Sequence, residues 1–131
     1  MPGSHSPDSE FQYALLRVVP RIERGEQINA GVVLFARRAG FLEARVRLDE
    51  RRLAAVAPDV EAAPLARQLE AIARVAAGEP GAGPIARLPP SERFAWIVAP
   101  SSTAIQPSPV HMGLCDDPAG KLERLFEELV D

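Results

Sequence analysis

Apolar residues recur along the first third of this chain with a period of two, and along most of the rest with a period near 3.6. Phe11 to Val19 sets Phe11, Tyr13, Leu15 and Val19 on one face and Ala14, Leu16 and Val18 on the other, the spacing of a strand that is apolar on both sides and therefore central in its sheet. Arg17 falls on the Phe11/Tyr13/Leu15 face, where a guanidinium must reach water or find a carboxylate. Pro20 ends the run by removing a ladder donor. After a charged loop, Ile28 to Ala36 is again apolar on both faces. A regular alternation puts Asn29 and Gly31 on the side of Val33 and Phe35, and a glycine inside a strand marks a bulge or the close approach of another group. Arg37-Arg38-Ala39-Gly40 reads as a hairpin turn with Gly40 left-handed. Phe41 to Leu48 alternates, with Leu42, Ala44, Val46 and Leu48 inward and Glu43, Arg45 and Arg47 toward water. These three strands predict an antiparallel meander at the N-terminal side.

The later pattern is helical. Asp49 is placed to cap a short helix, Glu50 to Ala57, stopped by Pro58. Pro64 suits the first turn of the next helix, whose stripe is Leu65, Leu69, Ile72, Ala73 and Ala76, closed by Gly78. Residues 79–90 are rich in Gly and Pro and read as an irregular surface loop. Pro90-Ser91-Glu92 is a helix start signal, so 91–98 is read as a short helix with Phe94 and Ile97 or Val98 inward; a strand over 94–99 is the alternative. Residues 103–114, TAIQPSPVHMGL, are extended, and Pro107 and Pro109 confine them to a sheet edge or a strap. Asp117-Pro118 opens a last helix with Leu122, Leu125, Phe126 and Leu129 as its stripe. The fold class expected is α+β: a small antiparallel sheet of three to four strands with two to four helices, packed on one face. Residues 1–10 are expected to be a disordered tail and 11–131 a single domain, which is ordinary for a chain of 131 residues.

Composition changes this picture little. The chain is 47% apolar and 25% charged, with 5% aromatics, so Ala, Val, Leu and Ile must fill the core. A net charge of −3 disfavours a dedicated nucleic-acid binder. The charge is uneven: nine arginines face five acids between Arg17 and Arg52, while six acids face Lys121 and Arg124 after residue 115. The two regions either lie together and neutralise or leave a basic face for an anionic ligand. A single cysteine, Cys115, precludes an internal disulfide and suits a cytoplasmic location. No apolar run approaches the length of a membrane span, and MPGSHSPDSE lacks the pattern of a signal peptide.

No complete catalytic set is present. One Cys and His111, with Asp116 and Asp117 beside them, do not make a zinc site, so no metal or cofactor is expected. Ser101, Ser102 and Ser108 lie near His111 in sequence, but no nucleophile-elbow motif surrounds any of them. The loop Pro20–Gln27 has Gly25 without a Walker or dinucleotide fingerprint. Arg17, Arg21 and Arg24, with Glu26, Asn29 and His111, form the candidate ligand-binding set, since arginines clamp phosphate or carboxylate bidentately. The alternative is an internal network in which Glu23 and Glu26 neutralise these arginines.

The string YALLRVVPRIERGEQINAGVVLF, Tyr13 to Phe35, resembles the opening of an uncharacterised bacterial family, domain of unknown function 3037. The matching positions are Arg17, Pro20, Arg21, Glu23, Arg24, Glu26, Ile28, Asn29 and Gly31, and Pro84-Ile85, Ile105–His111 and Asp116–Pro118 are also similar. Ala30 departs from the valine common in relatives. The family carries no established activity, so no catalytic residue transfers. Genes of this family often neighbour one for a HipA-like protein kinase, so the resemblance implies that kinase as a candidate partner. Together these readings favour a small non-enzymatic binding or regulatory module over an anion-binding protein or small enzyme.

Overall fold

The computed structural model describes residues 8–21, 24–101 and 103–130. Among these residues, five antiparallel strands form one sheet: β1 (Ser9–Val18), β2 (Ile28–Ala36), β3 (Phe41–Val46), β4 (Ile105–Pro107) and β5 (His111–Cys115). The order is β3-β2-β1, and β4 and β5 lie end to end along the far side of β1. The predicted strap is thus an edge of two short strands. Ser9 and Glu10, assigned to the tail by sequence, belong to β1; the rest of that tail, apart from Asp8, lies outside the described residues.

Among the described residues, four helices cover the sheet: α1 (Glu50–Val56), α2 (Ala62–Ala76), α3 (Pro90–Ile97) and α4 (Pro118–Leu129). They occupy both faces, not one. Ala14, Leu16, Val18, Val33, Phe35 and Leu42 pack with Leu53 of α1, Leu65 and Leu69 of α2 and Phe94 and Ile97 of α3. Phe11, Val32, Leu34 and Ala36 point the other way, into Leu122, Leu125 and Phe126 of α4. The reason is in the strands themselves: β1 and β2 are apolar on both sides, and each side must be taken from water. The alternative of a strand at 94–99 gives way to α3, which seats Phe94 with its ring centroid 5.3 Å from that of Phe35.

Local chemistry sets the element ends. The Asp49 side chain accepts from the Arg52 N–H at 3.1 Å, and Asp117 caps α4 through the Gly120 N–H at 3.2 Å, each the kind of contact that contributes about 1 kcal/mol. Gly40 turns the β2–β3 hairpin at φ 62°. The loop after α2 contains one 3-10 turn, Pro84–Arg87. Across it, the Arg93 guanidinium donates to the Leu88 carbonyl at 2.7 Å and the Ala76 carbonyl at 3.3 Å, pinning the end of α2 to α3.

One register detail departs from the alternation expected. Arg17 pairs with Asn29 and Leu16 with Gly31, so Ala30 is an extra residue in β2. This bulge reverses the parity of the strand. Ile28 and Ala30 face the α2 side together with Val33 and Phe35, and Asn29 is turned to the α4 side. The close approach anticipated at Gly31 is real: a Cβ there would stand 2.9 Å from the Arg45 carbonyl oxygen and 3.0 Å from Val46 Cγ1.

Candidate functional site

The arginine loop leaves the end of β1 and returns into β2. Arg21 Nη2 donates to Asp59 Oδ2, in the turn between α1 and α2. That hydrogen bond, foremost, holds the Asp59 carboxyl below its ordinary range. Arg24 Nε lies 3.2 Å from Glu26 Oε1 at the surface. The pairing with Glu26 agrees with the network reading, while Arg21 takes its carboxylate from another element; Glu23 lies outside the described residues. Across the wider charge asymmetry, Arg45 Nη1 pairs with Glu123 Oε1, and its guanidinium carbon lies 5.1 Å from the centroid of the Phe126 ring.

Arg17, Asn29 and Gln106 are direct cross-strand neighbours, so their side chains form one polar row on the α4 side of the sheet. Asn29 Nδ2 donates to the Leu129 carbonyl at 3.0 Å, satisfying an end group of α4. Arg17 is half-buried, and among the described residues its side chain has no ion pair or hydrogen bond. His111 sits opposite Tyr13, with ring centroids 5.1 Å apart, four residues along β1 from Arg17 and so about 13 Å away. The end of β1 does meet the Ile105–His111 segment, through Val18 beside Ile105 and the Val19 N–H donating to the Ala104 carbonyl at 2.7 Å. The six sequence candidates nevertheless spread over the loop, the polar row and the Tyr13 row, and none of them lines a cavity described below.

Sequence reasoning passed over two surface features. The first is a groove of about 470 Å³ between α2, α3 and β4. Leu16, Ile72, Ile97 and Ile105 form its floor, Trp96 one wall, and Gln68, Ser101 and Thr103 its polar rim. Trp96 is 50% exposed, although it is the only tryptophan of the chain. The signal was available: in α3 the buried stripe is Phe94 and Ile97, and Trp96 falls off it. The second is the outer margin of β5, where Met112 and Leu114 are 64% and 63% exposed, above a cleft of about 350 Å³ that reaches Arg37 and Arg38. Cys115 closes that strand as a buried thiol, its pKa pushed up by burial.

The arrangement offers concave and edge surfaces for binding. A three-layer α+β domain of this kind is defined by its fold and apolar surface features. The chain belongs to the family described as Protein of unknown function (DUF3037), whose model matches residues 13–130. No curated protein and no solved structure matches the chain. No helix among the described residues is long and apolar enough to cross a membrane.

Proposed function

We propose that this protein is a small cytoplasmic binding module without catalysis of its own, which takes an apolar segment of a partner protein into the groove beside Trp96. The partner we favour is the HipA-like kinase implied by the family resemblance. The observation that carries the reading is the half-exposed Trp96 on the wall of an apolar groove with a short polar rim. Tryptophan anchors in desolvated pockets dominate the energetics of protein interfaces, and a groove of this volume is in the range that holds a ligand group or a few side chains.

Trp96 is also the reporter. Docking buries the only indole of the chain, so its fluorescence shifts to shorter wavelength on titration with the kinase. Trp96→Ala lowers affinity by roughly thirtyfold or more, the effect of a hot spot near 2 kcal/mol. Co-expression of the two folded proteins giving only separate species on size exclusion would sink the proposal.

A second reading is favoured by Arg17 alone. A half-buried guanidinium with no counter-charge among the described residues, beside Gln106, suits a small oxyanion. Titration with inorganic phosphate, followed by the amide shifts of Arg17 and Gln106, tests it. Shifts that do not saturate remove it.

A further inference from the structure

The two margins of the sheet are built differently. On one, β3 carries Glu43 and Arg45 outward, with Arg45 tied to Glu123 of α4; charges of this kind blunt an edge against pairing. On the other, the β4 part is blunted by Pro107 and Pro109, which have no amide to donate. The β5 part has neither device. From Val110 to Cys115 the edge contains no proline, lysine, arginine or carboxylate.

The direction of its backbone groups follows from the ladder. The Val19 N–H donates to the Ala104 carbonyl, and the Ser108 N–H to the Leu15 carbonyl at 2.8 Å. Odd-numbered residues of β1 therefore bond toward this margin, and further along they meet His111, Gly113 and Cys115. The N–H and C=O of Met112 and Leu114 are left pointing outward. Both side chains stand on the α2 side of the sheet, past the end of the helical layer, and Val110 beside them is 37% exposed.

We infer that this edge pairs with the same edge of a second copy, antiparallel about a two-fold axis at Gly113. Met112 then faces the second copy's Leu114, and Leu114 its Met112, and these pairs exchange four backbone hydrogen bonds. The axis passes where no side chain stands, which suits the closest pair of an antiparallel ladder. Four apolar side chains meet on one face. On the other, His111, the only basic residue of the segment, comes opposite the second copy's Cys115 and beside its exposed Asp116 and Asp117. The self-complementary order Met-Gly-Leu and this pairing of an imidazole with acceptor carboxylates select a second copy over an unrelated strand, and the dimer is isologous. This inference is independent of the Trp96 groove.

The test is the mass of the full chain by light scattering over a concentration series. The wild type is expected at twice its 14.1 kDa chain mass. Met112→Glu and Leu114→Lys, each at a position already in water, should raise the dissociation constant roughly tenfold or more. The double variant M112E/L114K should restore the dimer, because each Glu then faces a Lys across the axis; circular dichroism confirms that all forms are folded. A wild type that stays monomeric overturns the inference. So does a dimer indifferent to both single variants, or a double variant no better than either one. Capture of another protein's strand by a monomeric chain also overturns it, while leaving the groove proposal standing.

Discussion

Ser108 is the one buried polar residue in the core of the described chain. It stands between two prolines, where the edge strand breaks from β4 into β5. Its hydroxyl accepts from the Leu15 N–H at 2.8 Å and donates to the Pro109 carbonyl at 2.8 Å. A side chain here replaces a backbone rung that the bulged edge cannot supply. Ser108→Ala leaves the Leu15 amide without a partner, and the expected loss is about 1–3 kcal/mol of unfolding free energy, measured by urea denaturation. A loss well under that range would mean that water reaches the amide. The arginine loop gives a milder prediction. Asp59 has a lowered pKa in the folded chain, so its contribution to stability is present above the unfolded-state value and disappears as pH falls through the folded one. Arg21→Met should return the Asp59 carboxyl upward toward its ordinary value in a carbon-detected NMR titration. An unchanged titration would detach the shift from Arg21. Because Asp59 lies at the surface, the effect on stability is small.

At the scale of elements, the strands, turns and caps were legible because local rules and tertiary demands agree there. The spacing of Leu65, Leu69 and Ile72 makes α2, Asp49 and Asp117 cap their helices, and Gly40 turns the hairpin. Gly31 flagged a bulge or a close approach, and both are there, but the reversal of faces at Ala30 was not legible. In a strand with one polar face, an extra residue would show as a slip in the alternation. In β2 both faces are apolar, so the slip leaves no trace, and Asn29 was assigned to the wrong side. The placement of the candidate site residues was hidden for a related reason. Arg17, Arg21, Arg24 and His111 are conspicuous in sequence, but which of them share a surface depends on register and on partners such as Asp59, distant in the chain. The tight crossing beside the bulge carries its own prediction. Gly31→Ala drives a Cβ into the Arg45 carbonyl and Val46 at 2.9 and 3.0 Å, both held by the sheet. The expected cost is about 1–3 kcal/mol, seen as a lower urea midpoint with an unchanged slope. A neutral result would show that β3 shifts away freely.

On the scale of the whole molecule, one sheet divides two cores. Neighbouring residues of β2 alternate between them: Val32 and Leu34 serve the α4 side, Val33 and Phe35 the side of α1, α2 and α3. Neither layer can lose its cover without exposing strands on which the other depends, so the domain should unfold as a unit. Phe126 and Trp96 test this from opposite sides. Phe126 is 7% exposed in the α4 core, and Phe126→Ala should cost about 3–5 kcal/mol. Trp96 lies across the sheet, yet its fluorescence should report the same lowered urea midpoint as circular dichroism. If the indole transition held its wild-type midpoint while ellipticity fell early, α4 would be leaving by itself and the two layers would be separate folding units. Coincident transitions have a functional consequence. A partner seated at Trp96 would then stabilise α4 as well, because ligand binding to the native state raises the stability of everything that unfolds with it.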